Sequence, residues 1–207
     1  LPQYYTDAGR AGAVVSYDLP TVSSGCSDVE LIRTGGLGSD DFFPVGTTTV
    51  TYMAIDASNQ IDVCAFDVIV VDNEPPQISV HVAPVYLWPA NNQMEEVKVT
   101  VELWDNVPGT TAVLTSIESN QNINGDVQDA SIGVFDQLFQ LRAKNVQGPR
   151  TYTITYEATD AAGNTTSASA DVTVPTQKPK DFETDGLPLP SAVTLDQNYP
   201  NPFNPST

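Results

Sequence analysis

Hydrophobic and polar residues alternate along this chain with a period of two, in short runs separated by Gly, Pro, Asn and Asp. The clearest runs are AVVSY (13–17), TTTVTYMAID (47–56), VCAFDVIVV (63–71), QISVHV (77–82), EVKVTVELW (96–104), TYTITYEAT (151–159) and SASADVTV (167–174). Side chains on an extended backbone point alternately to its two faces, so this period predicts strands with one face toward a core. Helical periodicity is nearly absent. The pattern predicts an all-β protein built of β-sandwiches. Within 96–104 it sets Val97, Val99, Val101 and Leu103 on one face and Lys98, Thr100, Glu102 and Trp104 on the other.

Residues 47–70 align without a gap on residues 151–174, so that Tyr52 falls on Tyr156, Ala54 on Ala158, Asp56 on Asp160 and Asp67 on Asp171. A repeat at that distance predicts two modules that each end in the same hairpin. At the turns, Asp56 and Asp160 can accept bonds from nearby backbone amides, while Ser58-Asn59 and Gly163-Asn164 tolerate a positive φ. The boundary is expected at DNEPP (72–76), because paired prolines cannot continue a central strand. Residues 1–74 and 75–175 are then the modules. Residues 176–207 form an extended Pro-rich tail, whose last part, VTLDQNYPNPFNPST, changes character again.

Eight Lys plus Arg face 26 Asp plus Glu, a net charge of −18 shared by both modules. That balance argues against nucleic acid and anionic membrane surfaces, which need a basic face. Cations, sugars and other proteins remain as partners. No stretch approaches the roughly 18 consecutive apolar residues of a spanning helix. The start, LPQYY, lacks the pattern of a signal peptide, so either an export signal has been removed or the chain is a fragment.

Catalytic chemistry has little to work with. His81 is the single histidine, placed in an alternating run where a solvent-facing position is expected. There is no nucleophile elbow, zinc spacing or phosphate loop, and the chain is read as noncatalytic. Calcium is the sharper candidate, since clustered hard oxygens in loops suit it. One candidate set is Asp72 and Glu74 at the boundary, with Asp105 and Asn106 after a strand that could return to the same end. The other is Asn120, Asn122, Asn124 and Asp126, which follow the spacing of an EF-hand loop around Gly125 but lack its first Asp and its bidentate Glu. For each set the alternative is ordinary solvated turn residues. Trp88 and Trp104 raise sugar stacking against inter-module packing, and packing is the preferred reading.

Three stretches resemble known families. GAVVSYDLPTVSSGCS (12–27), FFPVGTTTVTYMAIDASNQIDVCAFDVIVVD (42–72) and the exit NEPP resemble the hyalin repeat (HYR) domain, an immunoglobulin-like β-sandwich of secreted and surface proteins. That family usually has a further strand ahead of the point where this chain begins, so the first sheet edge is expected to be incomplete. The resemblance implies a disulfide between Cys26 and Cys64, with two free thiols as the alternative. On the alternation Cys64 shares a face with Phe66, Val68 and Val70, which points its sulfur inward. A bridge there would stabilise by roughly 3 to 4 kcal/mol on the chain-entropy model.

Residues 75–175 resemble bacterial immunoglobulin-like domains through LWPANNQM (87–94), SIESNQNING (116–125), LRAKN (141–145) and YTITYEATDAAGN (152–164). LDQNYPNPFNPST (195–207) resembles the opening of the sorting domain that routes bacterial proteins through the type IX secretion system. These likenesses imply a structural or adhesive segment of a secreted, cell-surface bacterial protein, with a surface protein, a glycan or a second copy as partner. Two alternatives stand beside it: the subunit of an extracellular fibre built by β-strand addition, and the stalk of a secreted hydrolase.

Overall fold

The computed structural model describes residues 3–23 and 28–180. Leu1–Thr176 form one compact unit, and Gln177–Thr207 are a separate one. Residues 195–207, where a sorting-domain resemblance is expected, lie outside the described residues.

Every regular element among the described residues is a strand. The first six are β1 (Gln3–Tyr5), β2 (Gly12–Val15), β3 (Val29–Gly35), β4 (Asp41–Pro44), β5 (Gly46–Asp56) and β6 (Ile61–Val71). After the 72–76 link come β7 (Gln77–Ala83), β8 (Met94–Trp104), β9 (Thr111–Ser119), β10 (Val127–Gln128), β11 (Leu138–Arg142), β12 (Arg150–Thr159) and β13 (Thr165–Val174).

A sheet in the order β1-β6-β5-β3 faces the two-stranded ladder β2-β4. Their inward residues Ala13, Val15, Phe43, Val50, Tyr52, Val68 and Val70 make one apolar cluster. The later strands form a sheet β10-β11-β8-β7 and a sheet β13-β12-β9. A second, larger cluster fills the space between them: Val97, Val99, Phe139 and Leu141 from one side meet Leu114, Tyr152, Ile154, Tyr156 and Val172 from the other. Each fully buried side chain of this kind contributes roughly 1.5 to 3 kcal/mol, so the alternation read from the sequence is also what holds the layers together. The faces of β8 are as expected, with Val97 and Val99 buried and Lys98, Thr100, Glu102 and Trp104 exposed.

The expected incomplete edge is partly filled. β1 pairs in parallel with β6 through Gln3–Ile69, Tyr4–Val70 and Tyr5–Val71. Among the described residues no strand pairs with the rest of that edge.

The two repeated hairpins close with the same turn. Asp56 Oδ1 accepts from the amides of Ser58 (2.8 Å) and Gln60 (2.9 Å), and Asp160 Oδ1 accepts from those of Ala162 (2.9 Å) and Asn164 (2.8 Å). The left-handed position is Asn59 in one (φ 60°) and Gly163 in the other (φ 94°).

Candidate functional site

Asp160 closes the turn after β12, and the β8–β9 loop reaches the same end of the sandwich. That loop approaches through Gly109, whose φ of +124° is a conformation L side chains rarely adopt. A Cβ there would also stand 3.2 Å from the Cβ of Ala161. The 72–76 link passes this end as well. Asp72 therefore meets Asp105 and Asp160: one carboxylate oxygen from each lies within 4.8 Å of the others.

Hydrogen bonds fix the three acids in different ways. Asp72 Oδ1 accepts from the amide of Glu74 (3.1 Å), the hydroxyl of Thr6 (3.2 Å) and the Nδ2 of Asn106 (3.2 Å). Asn106 Nδ2 donates also to the carbonyl of Arg10 (3.0 Å), and Asn164 Nδ2 donates to the carbonyl of Asp72 (3.2 Å). Side chains from the β8–β9 loop and the β12–β13 turn thus bond the link and the β1–β2 loop. Glu74 turns away and accepts the amide of Gly9 through Oε2 (2.8 Å).

What these bonds leave over is a set of buried oxygens. Asp72 is 4% exposed, and its Oδ2 has no partner. Both carboxylate oxygens of Asp105, the Oδ1 of Asn106 and the Oγ1 of Thr110 are buried and unpartnered too. A buried polar atom without a partner costs roughly 1 to 3 kcal/mol, so these five, four of them on the β8–β9 loop and one on the link that it meets, call for an explanation.

Charge sharpens the point. Two carboxylates about 5 Å apart repel by on the order of 3 kcal/mol at an effective dielectric near 20. Burial, joined by the charges of Asp72 and Asp160, pushes the Asp105 carboxyl above the usual range. The amides of Asn106 and Val107 pull it back only in part, since neither reaches bonding geometry with it. Asp160 is opposite in sign: burial raises it, but the bonds from Asn164, Gly163 and Ala162 prevail and its carboxyl lies below the usual range. The ion pairs among the described residues are Arg10–Asp7, Arg142–Asp126 and Arg150–Asp126, so none neutralises this cluster.

Of the residues expected at the boundary, Asp72, Asp105 and Asn106 come together and Glu74 serves the β1–β2 loop instead. Asp160 joins the group, and Thr110 lies on the same β8–β9 loop as Asp105, although the sequence suggests only a turn role for Asp160. The signal that could have found it is the repeat, which sets an acid at the same end as the link.

Three of the four residues expected as the second set, Asn120, Asn122 and Asp126, have oxygens bonded within the chain. Asn120 Oδ1 accepts the amide of Thr151 (2.9 Å), and Asn122 Oδ1 accepts that of Asn124 (2.9 Å). Asp126 is buried, with Oδ1 bound by Arg142 Nε (2.7 Å) and Oδ2 by Arg150 Nη1 (2.8 Å). Burial raises its carboxyl, but the two guanidiniums outweigh that and hold it below the usual range. Both oxygens are in use, and two arginines repel an incoming cation.

Cys64 is an exposed free thiol, whereas the alternation points it inward; Cys26 lies outside the described residues. Phe66, Val68 and Val70 on the same side do turn to the core. Cys64 instead lines an open depression of about 480 Å³ with Leu31, Tyr52 and Ala54. His81 stands exposed on β7, and Trp104 is 51% exposed at the end of β8.

Residues 3–70 match the family model of the HYR domain. The chain is 28% identical over 174 residues to hyalin of Strongylocentrotus purpuratus, covering 81% of this chain and 14% of that protein. It thus spans about a seventh of that relative's length. Among solved structures it is similar to the extracellular domain of protocadherin GammaB4, with 16% identity, a TM-score of 0.38 and coverage of 83% of this chain and 30% of that one. It is also similar to the fibronectin(III)-like modules of Clostridium thermocellum CbhA, with 14% identity, a TM-score of 0.31 and coverage of 84% and 88%.

Proposed function

We propose that this chain is a noncatalytic structural or adhesive segment of a secreted, cell-surface protein, made of modules at residues 1–74 and 75–175. The match of residues 3–70 to the HYR domain, a module of secreted and surface proteins, supports the setting. The observation that carries the reading is Asp72: this link residue is buried and is bonded by Thr6 from one side and by Asn106 and Asn164 from the other. A link tied in this way holds its neighbours as a stiff spacer rather than a hinge. Calcium is the cofactor this reading expects, the bacterial tail at 195–207 supplies the route to the surface, and a surface protein, a glycan or another copy is the partner.

Digestion of the intact chain with Asp-N, which cuts ahead of aspartate, tests the tied link. Early cuts are expected at exposed Asp18, while the bond ahead of Asp72 survives. An early cut at Asp72 would refute the stiff spacer.

The fibre reading keeps one observation of its own. Beyond the three residues paired with β1, β6 offers an edge that is unpaired among the described residues, with Ile61 and Val63 exposed, the kind of template to which a strand of another copy adds. Sedimentation that finds only monomer at high concentration would eliminate it.

A further inference from the structure

The geometry points to a divalent-cation site of the calcium class at the 72–76 link, held by Asp72, Asp105 and Asp160 and completed by Asn106 and Thr110. This deepens the stiff-spacer reading by naming what its junction binds. It stands on atoms that hydrogen bonding inside the chain does not explain: Asp72 Oδ2, both oxygens of Asp105, Asn106 Oδ1 and Thr110 Oγ1. Asp72 is the decisive one: the residue is 4% exposed, its Oδ2 is buried without a partner, and one of its carboxylate oxygens lies within 4.8 Å of one from each of the other two acids. The only amide hydrogens that Asn106 is seen to use go to Arg10 and Asp72, which leaves its Oδ1 as an acceptor.

Calcium binds six to eight oxygens at about 2.3 to 2.6 Å, so ligand atoms across one ion are at most about 5 Å apart. The three carboxylate oxygens lie within 4.8 Å of one another. The set is all hard oxygen, mixing carboxylate, amide and hydroxyl, with no imidazole or thiolate to favour zinc or copper. Asp160 can take part while keeping its turn bonds, since a carboxylate has about four lone-pair sites. The ion would join the link, through Asp72, to the β8–β9 loop and the β12–β13 turn. Cation binding and junction stiffness would then be one event.

The test is calorimetric titration of calcium chloride into the intact, chelator-stripped chain, with thermal melting alongside. One site per chain is expected, with a dissociation constant of about 10⁻³ M or tighter, as in extracellular modules. At saturation the melting temperature should rise by about 5 °C. D160N should weaken binding at least tenfold, and Thr110→Val, which removes one oxygen at nearly constant shape, should weaken it less. D62N, at the far end of β6, should bind as the natural chain does. A folded chain that takes up no calcium at 10 mM, equal binding of magnesium chloride, or equal losses in D62N and D160N would each overturn the site. A chain without calcium binding whose Asp72 still resists Asp-N would leave the spacer reading standing without this inference.

Discussion

Strand β12 has a buried carboxylate near each end, and the chain treats the two differently. Where the strand opens, Arg150 and Arg142 hold both oxygens of Asp126. Past its close, Asp160 meets Asp72 and Asp105, and among the described residues no ion pair offsets them. The first arrangement is complete within the chain and locks the sandwich shut. The second has the same need and no internal answer, which is why it reads as a place for something from outside. A further contrast lies between the two repeated turns: Asp56 and Asp160 make the same bonds to their own backbone, but Asp56 is only half-buried and among the described residues belongs to no close group of three acids. Local sequence makes the turn, and what packs against it makes the site.

The largest effect should come from breaking the complete end. Arg150→Ala leaves Asp126 buried with one partner and is expected to lower stability by about 3 to 5 kcal/mol, equally with and without calcium, by denaturant melts. Next is Gly109→Ala, which forces a side chain into a φ of +124° against Ala161 and should cost about 1 to 3 kcal/mol. Unlike the arginine change, it should also weaken calcium binding, because it moves the loop that carries Asp105 and Thr110. Acid sharpens the contrast without a substitution. The folded-state carboxyl of Asp126 lies below its unfolded value, so its contribution is complete above the usual aspartate range and fades as pH falls through the lowered one. Arg150→Ala should flatten that acid limb in a melt series. Asp56→Ala should have the smallest effect, about 1 kcal/mol from two lost turn bonds, with calcium binding unchanged.

Much of the fold is legible in the alternation because strands with one buried face must show it. β5, β6, β7, β8, β12 and β13 lie where period two places them. β9 is hidden for a physical reason: a bulge opposite Thr155 and Tyr156 shifts its phase, so Ala112 and Leu114 point inward on even numbers and Ile117 on an odd one. A similar irregularity at Thr34, between Arg33 and Gly35 of β3, blurs that strand. At the site, Asp72, Asp105 and Asn106 are readable from the boundary and from a strand expected to return there. Asp160 is masked by its turn role, and Thr110 by a loop with no periodicity. The spacing of Asn120 to Asp126 does not reveal that Asp126 is held by arginines 16 and 24 residues away. Cys64 misleads because alternation names a face but not whether the opposite layer reaches that far along β6.

The most direct test compares the melting-temperature rise on adding calcium in D56N and D160N, the same substitution in two turns of the same kind. D56N should keep the full rise of the natural chain and D160N should lose it. Equal rises in the two would contradict a cation site at the junction.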